Sequence, residues 1–577
     1  MKIKPAIVRR PHVEGDWTHL HENPVLARVL AARGVKAQDD TDVGLNGLLP
    51  ASTLGGLSQA VALLANALIA QQHIVIVGDY DADGATSTAL AMRLLGDMGA
   101  QSVRYFVPDR FHYGYGLSTA VITDLGTPKP DLIVTVDNGV ASVDGVAAAR
   151  GAGIDVLVTD HHLPPEVLPN ATAIVNPNLR DDPFPSKNLA GVGVVFYLLS
   201  ALRTELDSRG WFSDTGIEKP NPATYLDLVA LGTVADVVPL DRNNRILVEQ
   251  GLRRIRAGAC CEGVKALLNV AGRDYTRCVS SDLGFAVGPR LNAAGRLESM
   301  GMGIACLLAD TELDAARLAS QLDSMNKQRR EIESDMRESA NELLYAWTAQ
   351  HSGQTLPAGI CLYDPEWHEG VIGILAGRVR ETVHRPTCVF TLDGDGMAKG
   401  SARSVAGVNI RDAIAWVESR ENGLLHKYGG HAMAAGLTLA QESLPRFGEL
   451  FDAAVVEQTN GAPPNAELLS DGELDSEDFT LETAALMRSA LPWGSQFPEP
   501  LFDGVFTRVE QRIVGSRHLK MRVHLRESPS LVVDAIAFGE TGEDLAGGDV
   551  RLAYRLDVNN FRGKISLQLL VEHIEDV

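Results

Sequence analysis

His73-Ile74-Val75-Ile76-Val77-Gly78-Asp79-Tyr80-Asp81-Ala82-Asp83-Gly84 is the stretch that decides the fold. A β-branched apolar run that ends in glycine and three alternate aspartates reads as a buried parallel strand entering a functional loop. Three further stretches repeat the pattern. Leu132–Val136 runs into Asp137-Asn138-Gly139, Val156–Val158 into Thr159-Asp160-His161-His162, and Leu228–Leu231 with its continuation into Ala235-Asp236. Ligands of open α/β sheets bind beyond the carboxyl ends of the strands, so all four clusters are expected to meet in one crevice.

Taken singly, each cluster is an ordinary N-cap or turn. Together they crowd carboxylates into a partly dry site, which is unfavourable unless cations compensate them. Two divalent ions resolve the conflict. Oxygen-rich ligation with one or two imidazoles suits Mg2+ or Mn2+ better than Zn2+. A metal pair roughly 3.5–4 Å apart serves phosphoryl displacement, so the residues point to a phosphoester hydrolase.

At 577 residues the chain is too long for one core and implies three or four domains. No apolar run approaches the ~18 residues of a membrane span, and Met1-Lys2-Ile3-Lys4-Pro5 does not open a signal peptide, so the expectation is a cytoplasmic protein with no membrane contact. Cys260, Cys261, Cys278, Cys306, Cys361 and Cys388 form no Cys-x-x-Cys pair and read as buried free thiols. The net charge of −22 weakens a nucleic-acid reading without excluding it, because the charge is unevenly spread. Residues 441–500 hold twelve acids against Arg446 and Arg488, whereas 504–526 hold Arg508, Arg512, Arg517, Lys520, Arg522 and Arg526 against Glu510 alone.

Residues 1–54 form an N-terminal segment. From 55 to 309 short strands (74–77, 103–107, 132–136, 156–158, 173–175) alternate with helical patterns such as 85–98 and 143–152, the signature of a doubly wound parallel sheet. Residues 310–350 lack proline and glycine and predict one long helix opened by Thr311-x-x-Asp314, with a kinked helical hairpin as the alternative. A second α/β region spans 351–456. The remainder, 457–577, is an acidic linker followed by a small antiparallel barrel.

Three groups are suited to a nucleic-acid backbone. Arg290, Asn292 and Arg296 sit among glycine and alanine in Gly288-Pro289-Arg290-Leu291-Asn292-Ala293-Ala294-Gly295-Arg296. Lys399-Gly400-Ser401-Ala402-Arg403-Ser404 and Gly429-Gly430-His431-Ala432 read as phosphate-contacting turns, with Arg110 as a further phosphate ligand. Phe111, His112, Tyr113 and Tyr115 offer a stacking platform for splayed bases, or else pack as core.

The four aspartate motifs, in this order, resemble those of the DHH phosphoesterase family; Gly429-Gly430-His431 is similar to the signature of its associated second domain, and Pro492-Trp493-Gly494 with the following strands resembles an oligonucleotide-binding (OB) fold. The resemblance spans nearly the whole chain. It implies a metal-dependent exonuclease that degrades single-stranded DNA from the 5′ end to mononucleotides, in recombination and repair including mismatch repair. It also implies roles: Asp81 on one metal, Asp83, His161 and Asp236 on the other, Asp137 between them, and Asp79 and Asp160 as ligands or supporting carboxylates. His162 would face the substrate phosphate, and Ser401, Arg403 and Arg110 a terminal 5′ phosphate. Implied partners are single-stranded DNA, a single-stranded-DNA-binding protein and a DNA helicase, with monomeric action. A gap between the two α/β regions that admits one strand would account for strand selectivity. The alternatives are a family member acting on short oligonucleotides or cyclic dinucleotides, and a non-catalytic replication scaffold.

Overall fold

In the computed structural model the described residues are all but 1–2, 111, 351–355, 463, 516, 542–547 and 562. Phe111 therefore lies outside the described residues. The chain divides into two compact units, Arg9–Asn326 with Ser470–Val577, and Met1–Val8 with Lys327–Leu469.

The larger unit contains a five-stranded parallel sheet in the spatial order Val103–Phe106, Ile74–Val77, Leu132–Val136, Asp155–Thr159, Ala173–Val175. The chain goes outward on one side of Ile74–Val77 and then on the other. The order thus reverses between Ile74–Val77 and Leu132–Val136, which are directly paired. A crevice opens at that point, and the loops carrying Asp79 to Asp83 and Asp137 flank it. Both strands are buried on both faces, as a sheet covered by helices requires. Asn138 ties their ends together, donating from Nδ2 to the carbonyls of Val77 (3.0 Å) and Val136 (2.9 Å).

One expected strand is a helix. Residues 228–231 belong to the helix Leu226–Ala235, in which every residue from Leu226 to Thr233 is buried. A helix apolar on all sides has no 3.6-residue periodicity, so a short apolar run from it is indistinguishable from a buried strand. Asp236 accordingly sits at a helix C-terminus rather than a strand end.

The same unit contains a closed five-stranded barrel: Phe502–Val514, His518–Leu525, Val532–Phe538, Lys564–Asp576 and Asp549–Phe561, in that order around the wall. Phe502, Phe506 and Tyr554 fill its interior. The smaller unit holds a mixed sheet ordered Leu425–Gly430, Ala434–Ala440, Met397–Arg403, Thr387–Leu392, Ile360–Tyr363. The long helix runs unbroken from Glu312 to Gln350, 39 residues. Thr311 Oγ1 caps it by accepting from Asp314 N at 3.2 Å. All six cysteines are free; Cys278, Cys306 and Cys388 are buried, the other three half-buried. Among the described residues no single helix is long and apolar enough to cross a membrane.

Candidate metal centre and phosphate sites

The aspartate loop is built by its own helix. Asp81 N-caps Ala82–Asp97, its Oδ1 accepting from Asp83 N (2.9 Å) and Gly84 N (3.0 Å). The next orphan donor, Ala82 N, is satisfied from outside by Asn292 Oδ1 at 2.8 Å. The helix bearing Asn292 packs so close that a Cβ on Gly295 would lie 1.8 Å from the Tyr80 carbonyl oxygen, which is why glycine stands there. Asp83 in turn receives Gly191 N (2.6 Å) and Val192 N (2.9 Å), buried amides at the start of the helix Gly191–Ser208 that have no partner within the helix.

The same loops bring the carboxylates and two imidazoles together. Three overlapping groups have ligand atoms within 4.8 Å of one another: Asp79, Asp81 and Asp137; Asp83, His161 and Asp236; and Asp137, His161 and His162. Asp137 joins two of them. It holds a left-handed backbone, φ 62°, which is uncommon outside glycine and asparagine. His161 Nε2 lies 3.1 Å from Asp137 Oδ1 and 3.5 Å from Asp236 Oδ2.

The electrostatics show how much negative charge the centre gathers. Burial, then the charge of Asp81, raises Asp79 well above the usual carboxylate range and pushes Asp83 up to about 7. Burial, then Asp83 and Asp81, likewise raises Asp137 and Asp236 well above it. Asp137 Oδ1 is buried and, among the described residues, no donor meets it in hydrogen-bonding geometry, with His161 Nε2 at 3.1 Å. A buried acceptor without a donor, beside carboxylates that repel each other, fits a divalent cation.

Asp160, expected as a ligand or a supporting carboxylate, is placed differently. It stands outside all three groups. Its oxygens accept from His161 N (2.7 Å), His162 N (3.1 Å), His162 Nδ1 (2.8 Å) and Val140 N (2.9 Å). Burial alone would raise its pKa, but the hydrogen bond and charge of His162 hold it below the usual range. Burial would lower His162, yet Asp160 prevails and pushes it up to about 9. Asp160 therefore orients and charges His162, not His161. Tyr115 completes this side, its hydroxyl 3.1 Å from His162 Nδ1 and its ring edge-on to Tyr80, over which the Arg110 guanidinium stacks at 4.4 Å.

Two other expected contacts are engaged elsewhere. Tyr113 donates its hydroxyl to Asp124 (2.8 Å) and packs edge-on against Phe106, so Tyr115 is the ring beside the carboxylates. Arg290 spends its fork on Asp323 (2.8 and 2.9 Å) and on the Ala286 carbonyl (2.6 Å). Arg296 is half-buried on the same helix.

In the smaller unit the two segments expected as turns contribute strands, which flank Ala434–Ala440 on either side. Gly429 pairs with Gly436, which pairs with Ser401. Strand alternation explains the pattern: Ala398, Gly400 and Ala402 face the core, and Lys399, Ser401 and Arg403 the other way. Gly400 fits there because a Cβ would lie 2.3 Å from the Phe390 ring. Arg403 donates to Ser401 Oγ (3.1 Å) and the Ala402 carbonyl (2.8 Å), and no carboxylate among the described residues pairs with it. Burial, then the charge of Arg380, lowers its pKa. The uncapped helix Ile372–Val383 begins beside it; a Cβ on Gly373 would lie 2.9 Å from Arg403 Nη2 and 3.0 Å from Ser401 Oγ. A helix start, a serine and a guanidinium with no carboxylate partner among the described residues lie together here, the chemistry of a candidate anion site. The helix start was missed in the sequence, although Trp367-His368-Glu369-Gly370 before an apolar helical run was there to be read. His431 is exposed at the end of its strand.

Comparison with known proteins defines the class first. The model of the DHH family N-terminal domain matches residues 73–233, the DHHA1 domain 356–457, and the RecJ OB domain 470–573. The chain is 51% identical to the single-stranded-DNA-specific exonuclease RecJ of Dickeya dadantii over 580 residues, covering all of both chains. It is 50% identical to that of Escherichia coli, over 96% of each. The crystal structure of RecJ in complex with Mn2+ from Thermus thermophilus superposes with a TM-score of 0.80 at 30% identity, over 99% of this chain and 79% of that one. The chain belongs to the RecJ family.

Proposed function

We propose that this protein is a divalent-metal-dependent exonuclease that degrades single-stranded DNA from its 5′ end to mononucleotides, serving recombination and repair, mismatch repair included. The observation that carries the reading is the convergence of Asp79, Asp81, Asp83, Asp137, His161 and Asp236 in overlapping groups of metal-ligand size. Full-length relatives named single-stranded-DNA-specific exonucleases, and related crystal structures holding Mn2+ or Mg2+, support it. Asp79 and Asp81 would hold one ion, Asp83, His161 and Asp236 the other, with Asp137 between them. When bound, such a pair supplies an activated water and neutralises charge on the phosphoryl oxygens.

The remaining steps belong to the protein. Asp160 keeps His162 protonated, so His162 can hydrogen-bond the scissile phosphate and donate to the departing 3′ oxygen. Tyr115 and the stacked Arg110 and Tyr80 border the same carboxylates and would hold the first nucleotide. Ser401, Arg403 and the amides at the start of Ile372–Val383 would take the terminal 5′ phosphate, a group whose charge no internal phosphodiester presents. Gly429, Gly436 and Ser401 leave a row without bulk on which the backbone can lie. The basic barrel strands would guide incoming strand, and single-stranded-DNA-binding protein and a helicase are the proposed partners.

Incubation of end-labelled single strands with Mg2+ or Mn2+ tests the reading. Label should leave first from the 5′ end as mononucleotide, and Asp81→Ala should abolish release while strand binding persists. Release from the 3′ end first, or metal-independent release, would overturn it.

A further inference from the structure

Beyond Asp236 the chain does something unusual. Val237 closes the helix Leu226–Ala235 in the left-handed region, φ 62°, where glycine is the common choice and a β-branched residue is strained. Its side chain is not used for packing; the residue is 67% exposed. Beside it lies Phe285, 80% exposed, a high value for a large aromatic residue in a folded unit. Phe285 is presented by a single π-turn, Leu283–Val287, a geometry concentrated at functional sites. This turn packs on the end of the helix that delivers Asp236: a Cβ on Gly284 would lie 3.2 Å from Val234 Cγ1, and one on Gly288 3.3 Å from Ala235 Cβ. Val237 and Phe285 line one groove of about 680 Å³ that continues past Trp493.

Every arginine in that groove is already paired with a carboxylate. Arg273 pairs with Asp282 (3.4 Å), Arg488 with Asp557 (3.2 Å), and Arg555 with Glu499 (3.5 Å) and Glu572 (3.2 Å). Phe285 and Val237 thus present apolar and aromatic surface beside a polar floor whose four carboxylates outnumber its three paired arginines, which suits the face of a nucleobase and not a phosphate.

We propose that Phe285, backed by Val237, is a base-stacking ledge that holds a nucleotide adjoining the scissile phosphate, on the Asp236 side of the centre. This rests on the exonuclease reading above and adds a positioning residue to it. A base gripped there fixes the sugar-phosphate on which the centre acts, without regard to sequence. Tyr115 borders the carboxylates on the His162 side, so the ledge gives the centre an aromatic contact on each side.

The test uses the full-length protein with single strands carrying 2-aminopurine at successive positions from the 5′ end, bound in Ca2+ with phosphorothioate linkages. The wild type should quench the fluorescence of one position near the end; Phe285→Ala should lose that quench, and its KM for unmodified strand in Mg2+ should rise on the order of 10-fold. Phe285→Trp should restore both, and Phe285→Leu should not. Equal quench and KM in Phe285→Ala, or full rescue by leucine, would overturn the ledge while leaving the exonuclease reading intact. A wild type that degrades no single strand would sink that reading instead. Phe285 is exposed, so its replacement should leave the fold unaffected, and an unchanged melting temperature verifies this.

Discussion

The metal centre and the Ser401–Arg403 strand are opposite solutions to one problem. In the first, Asp79, Asp83, Asp137 and Asp236 are gathered where burial and mutual repulsion hold them partly protonated. In the second, half-buried Arg403 pairs with no carboxylate among the described residues and lies beside the start of a helix. Each is unfavourable in the protein alone, since a desolvated charge without a partner is destabilising. Each becomes favourable once its ligand arrives. The difference in sign matches the ligands proposed above, cations for one and a phosphate for the other. By contrast, Arg290 with Asp323 and Asp160 with His162 are compensated within the protein.

If that contrast holds, removing charge from either site should stabilise the ligand-free protein and disable it. Asp137→Asn should have the largest effect. Asparagine tolerates the left-handed backbone, so the melting temperature without metal should rise, metal-induced stabilisation should vanish, and turnover should fall on the order of 10^3-fold or more. A melting temperature that drops would break the comparison. Arg403→Met should come second: the preference for a 5′-phosphorylated over a 5′-hydroxyl strand should shrink by roughly 10- to 100-fold, as expected for lost charge-assisted hydrogen bonds, and the metal response should stay as in the wild type.

Protonation sharpens the metal side of the contrast. Asp83 titrates at about 7 in the metal-free protein, against roughly 3.9 for an unfolded aspartate. The folded state therefore binds the proton more tightly, and the stability it gains is complete below the unfolded value and lost as pH rises through about 7. Metal binding must displace that proton, so calorimetric affinity for Mn2+ should strengthen from pH 6 to 8, by up to about tenfold per unit for each proton released. A flat profile would argue that the carboxylates are ionised without metal. The smallest effect belongs to Val237→Gly, which relieves the left-handed strain and should stabilise the protein by about 1 kcal/mol while slowing turnover.

Much of the catalytic sheet was legible because strands buried on both faces and followed by aspartates leave a strong pattern, and the carboxyl-end rule places their loops together. Leu226–Ala235 was not, since an all-apolar helix has no period to distinguish it from a strand. The role of Asp160, ligand or supporting carboxylate, stayed open because three polar residues in a row do not reveal which way each points; its hydrogen bonds from Val140 N and His162 are visible only in the structure. The amides of Gly191 and Val192, which hold Asp83, leave no residue-type trace at all. Ser401 and Arg403 were identified from their chemistry but assigned to a turn, because glycine beside serine suggests one, whereas Gly400 is there to admit the Phe390 ring.

Crystals soaked in Mn2+ and measured for anomalous scattering test the central claim most directly. Two peaks should appear, one among Asp79, Asp81 and Asp137 and one among Asp83, His161 and Asp236, with Asp137 touching both. A single peak, or Asp137 turned away from an empty centre, would contradict it.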